Sequence, residues 1–154
     1  MEQEVIIRIK KCSEKKSESI TFPDYATKGS AGLDLPAYLE QPLIIPPGAR
    51  VRIPTGIAIE IPHRHIAGLI FPRSGLATNH GIALANAVGL IDSDYKGEII
   101  VAVINQSERE YIVKPGERIA QLVFIPVYQV TFKEVAEFGD SFRGEGGFGS
   151  TGRF

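Results

Sequence analysis

Turn signals recur roughly every ten residues along this chain, at Pro46-Pro47-Gly48, Pro54-Thr55-Gly56, Lys96-Gly97 and Lys114-Pro115-Gly116. The 16 glycines and 10 prolines leave little uninterrupted sequence for long helices. Between the turns lie short runs rich in Val and Ile. The pattern predicts strands at Val5–Lys10, Leu43–Ile45, Arg50–Ile53, Gly56–Ile61, Ile66–Phe71, Gly97–Ile104, Tyr111–Val113, Arg118–Pro126 and Val130–Val135. The stretch Ile57-Ala58-Ile59-Glu60-Ile61 alternates strictly, as a strand with one apolar face does. No strand–helix–strand rhythm appears. One helical turn is expected at Gly75-Leu76-Ala77-Thr78, capped by Ser74. The expected fold is therefore an all-β sandwich or small barrel with one short helix.

Composition narrows the function. Lys and Arg total 17 and Asp and Glu 18, for a net charge of -1, which speaks against a dedicated nucleic-acid binder or an anionic-membrane binder. With 154 residues and 44% apolar content, one domain can bury one core without staples. The single cysteine, Cys12, permits no intrachain disulfide and suggests a reducing compartment. The longest apolar runs, such as Ile99–Ile104, are far shorter than the ~20 residues of a membrane helix. The first residues show neither a signal peptide nor a transit peptide pattern. The segment Cys12–Ser19, which mixes both charge signs with serines, reads as a solvated loop.

Polar residues form islands in this apolar sequence. Pro72-Arg73-Ser74-Gly75 follows an apolar strand. Arg, Ser and backbone N–H groups at a helix start suit a phosphate, although a capped turn with a surface Arg fits equally. Gly89-Leu90-Ile91-Asp92-Ser93-Asp94-Tyr95-Lys96-Gly97-Glu98 places acids at a turn, where Asp92 or Asp94 could orient water, hold a metal's water shell or only bond locally. Asp34, in Ala31-Gly32-Leu33-Asp34-Leu35, sits inside an apolar stretch, where a buried carboxylate needs a partner, and Gln121, in Arg118–Phe124, is likewise polar within an apolar strand. His63, His65 and His80 form no metal-ligand spacing, and Cys12 has no histidine signature for nucleophilic work.

Five of the last fourteen residues, 141–154, are glycine, and the segment cannot form a stable strand or helix alone. Gly147-Phe148-Gly149-Ser150-Thr151-Gly152 matches a dinucleotide fingerprint, but no helix can follow it. The P-loop likeness of Gly144–Thr151 fails for the same reason, and Ser150 stands where the lysine belongs. The tail offers uncovered N–H groups, the hydroxyls of Ser150 and Thr151, the forked cation of Arg143 and the stacking face of Phe148. A disordered terminus and a ligand-ordered lid are both open readings.

In order along the chain, Ala31–Leu35, Pro72–Gly75, Gly89–Glu98, Arg118–Phe124 and Arg143–Gly152 resemble the five sequence blocks of the trimeric dUTP pyrophosphatases (dUTPases). Each block alone is weak, whereas five in order over residues 31–152 are specific. The resemblance implies a distorted jelly-roll or β-clip-like barrel. It also implies a homotrimer with C-terminal arm exchange. Residues 1–140 would form the catalytic barrel, and 141–154 a Gly-rich arm closing over a neighbouring active site. It implies hydrolysis of dUTP to dUMP and pyrophosphate, which keeps uracil out of DNA and supplies dUMP for dTMP synthesis. The expected location is the cytoplasm, or also the nucleus in a eukaryote. The expected partners are dUTP and like subunits.

By family pattern, Asp92 activates the water that attacks the α-phosphorus. Mg²⁺ is the cofactor, held mainly by the triphosphate and waters with no direct protein ligand. Asp34 would lie near its outer shell or support Arg73. Arg73, Ser74, Gly75, Gln121, Arg143, Gly149, Ser150 and Thr151 would spread the phosphate charge. Asn86, Gly89, Leu90, Ile91 and Ile100 would face the uracil, Tyr95 would lie under the deoxyribose, and Phe148 would cover the base. A dCTP deaminase of the same fold resembles the second block but lacks the complete tail. A silent β trimer need not keep Asp92, Tyr95 and the tail together.

Overall fold

The computed structural model describes residues 5–13, 17–142 and 144–147. Eleven strands and one α-helix are assigned among these residues. A five-stranded sheet has the order β2-β3-β11-β6-β8, with β2 Asp24–Tyr25, β3 Leu33–Pro36, β11 Arg118–Pro126, β6 Ile66–Pro72 and β8 Gly89–Ile91. A four-stranded sheet has the order β1-β5-β9-β7, with β1 Arg8–Lys11, β5 Arg50–Glu60, β9 Glu98–Asn105 and β7 Ile82–Leu84. The strands β4 Leu43–Ile45 and β10 Tyr111–Val113 form a separate pair. Every pairing is antiparallel. Buried side chains of both larger sheets, including Ile53, Ile59, Val101 and Val103 from one and Leu35, Ile70, Ile119 and Leu122 from the other, form one cluster. The result is the jelly-roll-like β fold that the turn rhythm and the blocks imply.

β9 shows how the pattern works. Ile99, Val101, Val103 and Asn105 point inward, whereas Ile100 faces out and is half exposed. Asn105 is fully buried, and its amide is saturated. Nδ2 donates to the carbonyls of Ile45 (2.9 Å) and Arg109 (2.7 Å), while Oδ1 accepts from the Ser107 backbone N–H (2.9 Å) and hydroxyl (2.8 Å). This one side chain ties the β4–β10 pair to the larger sheet.

Four expectations differ from the structure. Pro54-Thr55-Gly56 does not separate two strands. β5 runs through it with a register shift between Pro54 and Ala58, and Gly56 takes φ +74°. The Glu98 carboxylate accepts the Gly56 N–H at 2.8 Å, and the Thr55 hydroxyl donates to the Ile99 carbonyl at 2.6 Å, so side chains satisfy the interrupted ladder. The helix α1 spans Ser74–His80, and its N-cap is Arg73, extended at φ -88° and ψ 129° with no side-chain cap bond. Ser74 is thus the first helical residue and not the cap, which leaves its hydroxyl free of that duty. β1 begins at Arg8, opposite Glu60, and not at Val5. The segment Val130–Val135 forms no strand and packs on no core, since Tyr128, Val130 and Phe132 are 92%, 71% and 94% exposed. Strands β2, β3, β7 and β8, of two to four residues, are not among the predicted ones.

Candidate active site

The five-stranded sheet carries parts of four of the sequence blocks, and three of them meet around β11. β11 lies between β3 and β6, and Gln121 stands opposite both Asp34 and Phe71. Their side chains therefore share one face in a single row. Arg118 lies three residues before Gln121, so in a regular strand it would point to the other face. The register shift between Arg118 and Ala120 reverses it. Arg118 Nη1 consequently meets Asp34 Oδ2 at 2.9 Å, while Arg73 Nε meets Asp34 Oδ1 at 3.1 Å. Arg73 Nη1 also donates to the Arg118 carbonyl at 3.2 Å. The Asp34 side chain, 16% exposed, is thus shared by two arginines, which answers the need for a partner. Gln121 Nε2 donates to the Pro72 carbonyl at 3.0 Å, holding the strand end from which Arg73 projects. A Cβ at Gly32 would stand 2.9 Å from Gln121 Oε1, so the glycine of the first block makes room for the amide of the fourth.

Asp34, Arg73, Ser74, Gly75 and Gln121 line one cleft of about 560 Å³ together with Asn79 and His80. One carboxylate against two guanidiniums leaves a net positive charge beside hydroxyl and amide groups, which suits a polyphosphate. Sequence reasoning alone assigns Arg118 and His80 no role. Arg118 stood visibly in the fourth block, but only the register shift brings it to Asp34. The His80 ring lies 5.1 Å from that of Tyr111, whose hydroxyl donates to Glu117. Burial first, and then that bond, push the Tyr111 phenol up to about 12.

A second cleft of about 220 Å³ forms around β8 and the start of β9. Asn86, Gly89, Leu90, Ile91, Asp92, Tyr95 and Ile100 all line it. A Cβ at Gly89 would lie 3.0 Å from Ile70 Cβ, so the bare α-carbon lets this strand lie close against β6 without displacing Ile70. Ala87, at the tip between β7 and β8, holds φ +63°, and the Val88 N–H donates to the Asn86 carbonyl at 2.7 Å. The turn after β8 is closed by the Tyr95 N–H donating to the Asp92 carbonyl at 3.1 Å, and the Tyr95 hydroxyl donates to the Glu98 carbonyl at 2.8 Å. Leu90, Tyr95 and Ile100 remain 64%, 46% and 46% exposed, an apolar lip beside an exposed carboxylate. Asp92 also borders a neighbouring hollow with Arg64, Ser93 and Asp94.

The two clefts share no lining residue. Arg73 follows the last residue of β6, whereas Asp92 follows Ile91, which pairs with Gly68 near the other end. About five residues of strand, roughly 15–20 Å, separate them. One chain therefore brings the predicted residues into two groups and not into one. Arg143, Phe148, Gly149, Ser150 and Thr151 lie outside the described residues. Among the described residues no group of three His, Cys, Asp or Glu could hold a metal ion, and no helix is long and apolar enough to cross a membrane. Partial burial and the nearby Glu98 carboxylate raise the Cys12 thiol above its usual range, which makes it a poor nucleophile at neutral pH.

Known proteins share both the sequence and this architecture. A family model described as dUTPase matches residues 18–152. The deoxyuridine 5'-triphosphate nucleotidohydrolase of Desulfitobacterium hafniense (strain DSM 10664 / DCB-2) is 53% identical over 146 residues, covering 95% of this chain and 97% of that protein. The protein of the same name from Legionella pneumophila (strain Paris) is 51% identical over 149 residues, covering 97% and 98%. The solved structure of the Staphylococcus bacteriophage 80alpha dUTPase with dUPNHPP aligns with a TM-score of 0.83 at 27% identity, covering 96% of this chain and 98% of that one. Sequence blocks, fold and relatives converge over nearly the whole length, and the chain belongs to the dUTPase family.

Proposed function

We propose that this chain hydrolyses dUTP to dUMP and pyrophosphate in the cytoplasm, as a homotrimer in which the nucleoside cleft of one subunit faces the phosphate cleft of another. The observation that carries the reading is the second cleft, where Asp92 stands at the mouth of a nucleoside-sized hollow lined by Asn86, Gly89, Tyr95 and Ile100. Asp92 orients a water toward the α-phosphorus and takes its proton as the new O–P bond forms. The bond from that phosphorus to the bridging oxygen breaks, and pyrophosphate leaves. Arg73, Ser74, Gly75 and Gln121 bind the phosphate oxygens. Arg143, Gly149, Ser150 and Thr151 of the arm add donors, and Phe148 covers the base.

The base is selected by backbone. β8 is the edge strand of its sheet, so its outward N–H and C=O groups have no strand partner and can read a base edge. Uracil shows a donor at N3 and an acceptor at O4, and cytosine reverses both. A fixed pattern leaves buried groups unpaired with cytosine, worth ~10⁴-fold where fully desolvated. Tyr95 lies under the deoxyribose and leaves no room for a 2′-hydroxyl.

The donor set suits a Mg²⁺ that arrives on the triphosphate. Among the described residues the one carboxylate lining the phosphate cleft, Asp34, already pairs with Arg73 and Arg118, so it reaches such an ion only through water. When bound, the ion neutralises charge on the phosphate oxygens.

The trimer reading draws support from the separation of the two clefts and from the chain beyond β11. Tyr128, Val130 and Phe132 repeat with the period of a strand and are exposed, as a strand meant for another subunit's edge would be. The arm at 141–154 then closes over a neighbour's site.

Protein incubated with Mg²⁺ and dUTP should release pyrophosphate, with much slower turnover of dTTP, dCTP and UTP. Equal rates on all four would refute the pocket, and ammonia released from dCTP would indicate the deaminase instead. Asp92→Asn should bind nucleotide yet lose most of kcat, by roughly 10²-fold or more.

A further inference from the structure

Two turn glycines here answer to the backbone alone. Gly48 and Gly116 take φ +71° and +77°, and a Cβ at either would meet nothing within 4 Å. Gly97 is the opposite case. Its φ lies outside the left-handed region, so no positive φ calls for glycine there. It is nevertheless crowded, because a Cβ there would stand 2.6 Å from Tyr95 Oη, 2.7 Å from Cζ and 3.1 Å from Cε2. Tyr95 is half exposed, and its ring is anchored at the tip by the hydroxyl's bond to the Glu98 carbonyl at 2.8 Å. The ring's far end thus rests on a bare α-carbon while the ring forms part of the cleft wall.

We infer that Gly97 is a specificity-determining residue: the side chain it lacks is the seat of the Tyr95 ring, and that seat sets the depth of the pocket at the sugar's 2′ position. The inference rests on the reading that Tyr95 lies under the deoxyribose. An alanine meets no positive φ there but drives the ring end outward by most of an ångström and breaks its bond to Glu98. Displacements of that size at a positioned group cost up to ~10²-fold in rate. The loss falls on dUTP, which uses the wall, more than on UTP, which the wall already rejects.

The test compares kcat/KM for dUTP and UTP in the full chain, Gly97→Ala, Tyr95→Ala and the double variant. Gly97→Ala should lower the dUTP-to-UTP ratio roughly tenfold and keep the melting midpoint within ~2 °C. Added to Tyr95→Ala it should change the ratio by less than about twofold, because the ring it displaces is gone. A ratio unchanged in Gly97→Ala but collapsed in Tyr95→Ala overturns the seat while keeping Tyr95 at the sugar. Equal effects in both backgrounds, or a large loss of melting temperature, assign Gly97 to the turn itself and also overturn it. An unchanged ratio in Tyr95→Ala removes Tyr95 from the sugar, and the seat falls with it.

Discussion

Asp34 and Tyr111 show how single groups are set by what surrounds them. Asp34 sits in an apolar strand only because Arg73 and Arg118 both reach it, and in return it fixes the guanidinium of Arg73 toward the phosphate cleft. Tyr111 is held neutral by burial and by its bond to Glu117, with a phenol pushed up to about 12. The unfolded chain releases that proton near pH ~10, whereas the folded chain keeps it. Between pH ~10 and about 12 the folded state therefore binds more protons than the unfolded one, and stability falls as pH rises. Below that window the contribution is complete. Melting temperatures over this range should decline less steeply in Tyr111→Phe than in the parent, and parallel declines would show that burial and Glu117 do not hold the phenol neutral.

At the scale of elements, β11 and the chain beyond it have different duties. The register shift in β11 turns Arg118 onto the face of Gln121, so an irregularity in the ladder supplies the second guanidinium that holds Asp34 at the wall of the phosphate cleft. Downstream, the Val127 N–H donates to the His65 carbonyl at 2.8 Å, and Gln129 Nε2 donates to the Arg64 carbonyl at 3.3 Å. Beyond Gln129 the aromatic residues Phe132, Phe138 and Phe142 are almost fully exposed. They contribute nothing to the core of their own subunit. Removal of the residues after Ser141 should leave a folded oligomer with an unchanged melting temperature and poor catalysis. An unfolded truncation would make the tail a structural part and not a lid.

For the whole molecule, the distance between the clefts is the governing fact. Asp92 and Arg73 stand near opposite ends of β6, and one nucleotide meets both only across a subunit boundary in the proposed trimer. Co-assembly distinguishes this arrangement from a site within one chain. Asp92→Asn and Arg73→Ala subunits, each inactive alone, should regain a substantial part of the activity when refolded together, because some sites then receive neither substitution. Activity that stays at the level of the separate variants would place both residues in one subunit's site.

Much of this was legible in the linear chain because it depends on local chemistry and spacing. Gly-Pro punctuation and Val/Ile runs dictate short antiparallel strands, and Leu43–Ile45, Tyr111–Val113 and Arg118–Pro126 match their predicted bounds. The ordered blocks identify the family, since five weak patterns in sequence rarely coincide. Other features depend on contacts between residues far apart in sequence, which no window of sequence contains. Gly56 reads as a turn residue until Glu98 and Ile99, about forty positions on, keep β5 continuous through it. Arg118 meets Asp34 across 84 positions only after the register shift. Folding likewise decided that the site residues divide between two clefts: antiparallel pairing places the end of β6 and the end of β8 at opposite limits of the same sheet.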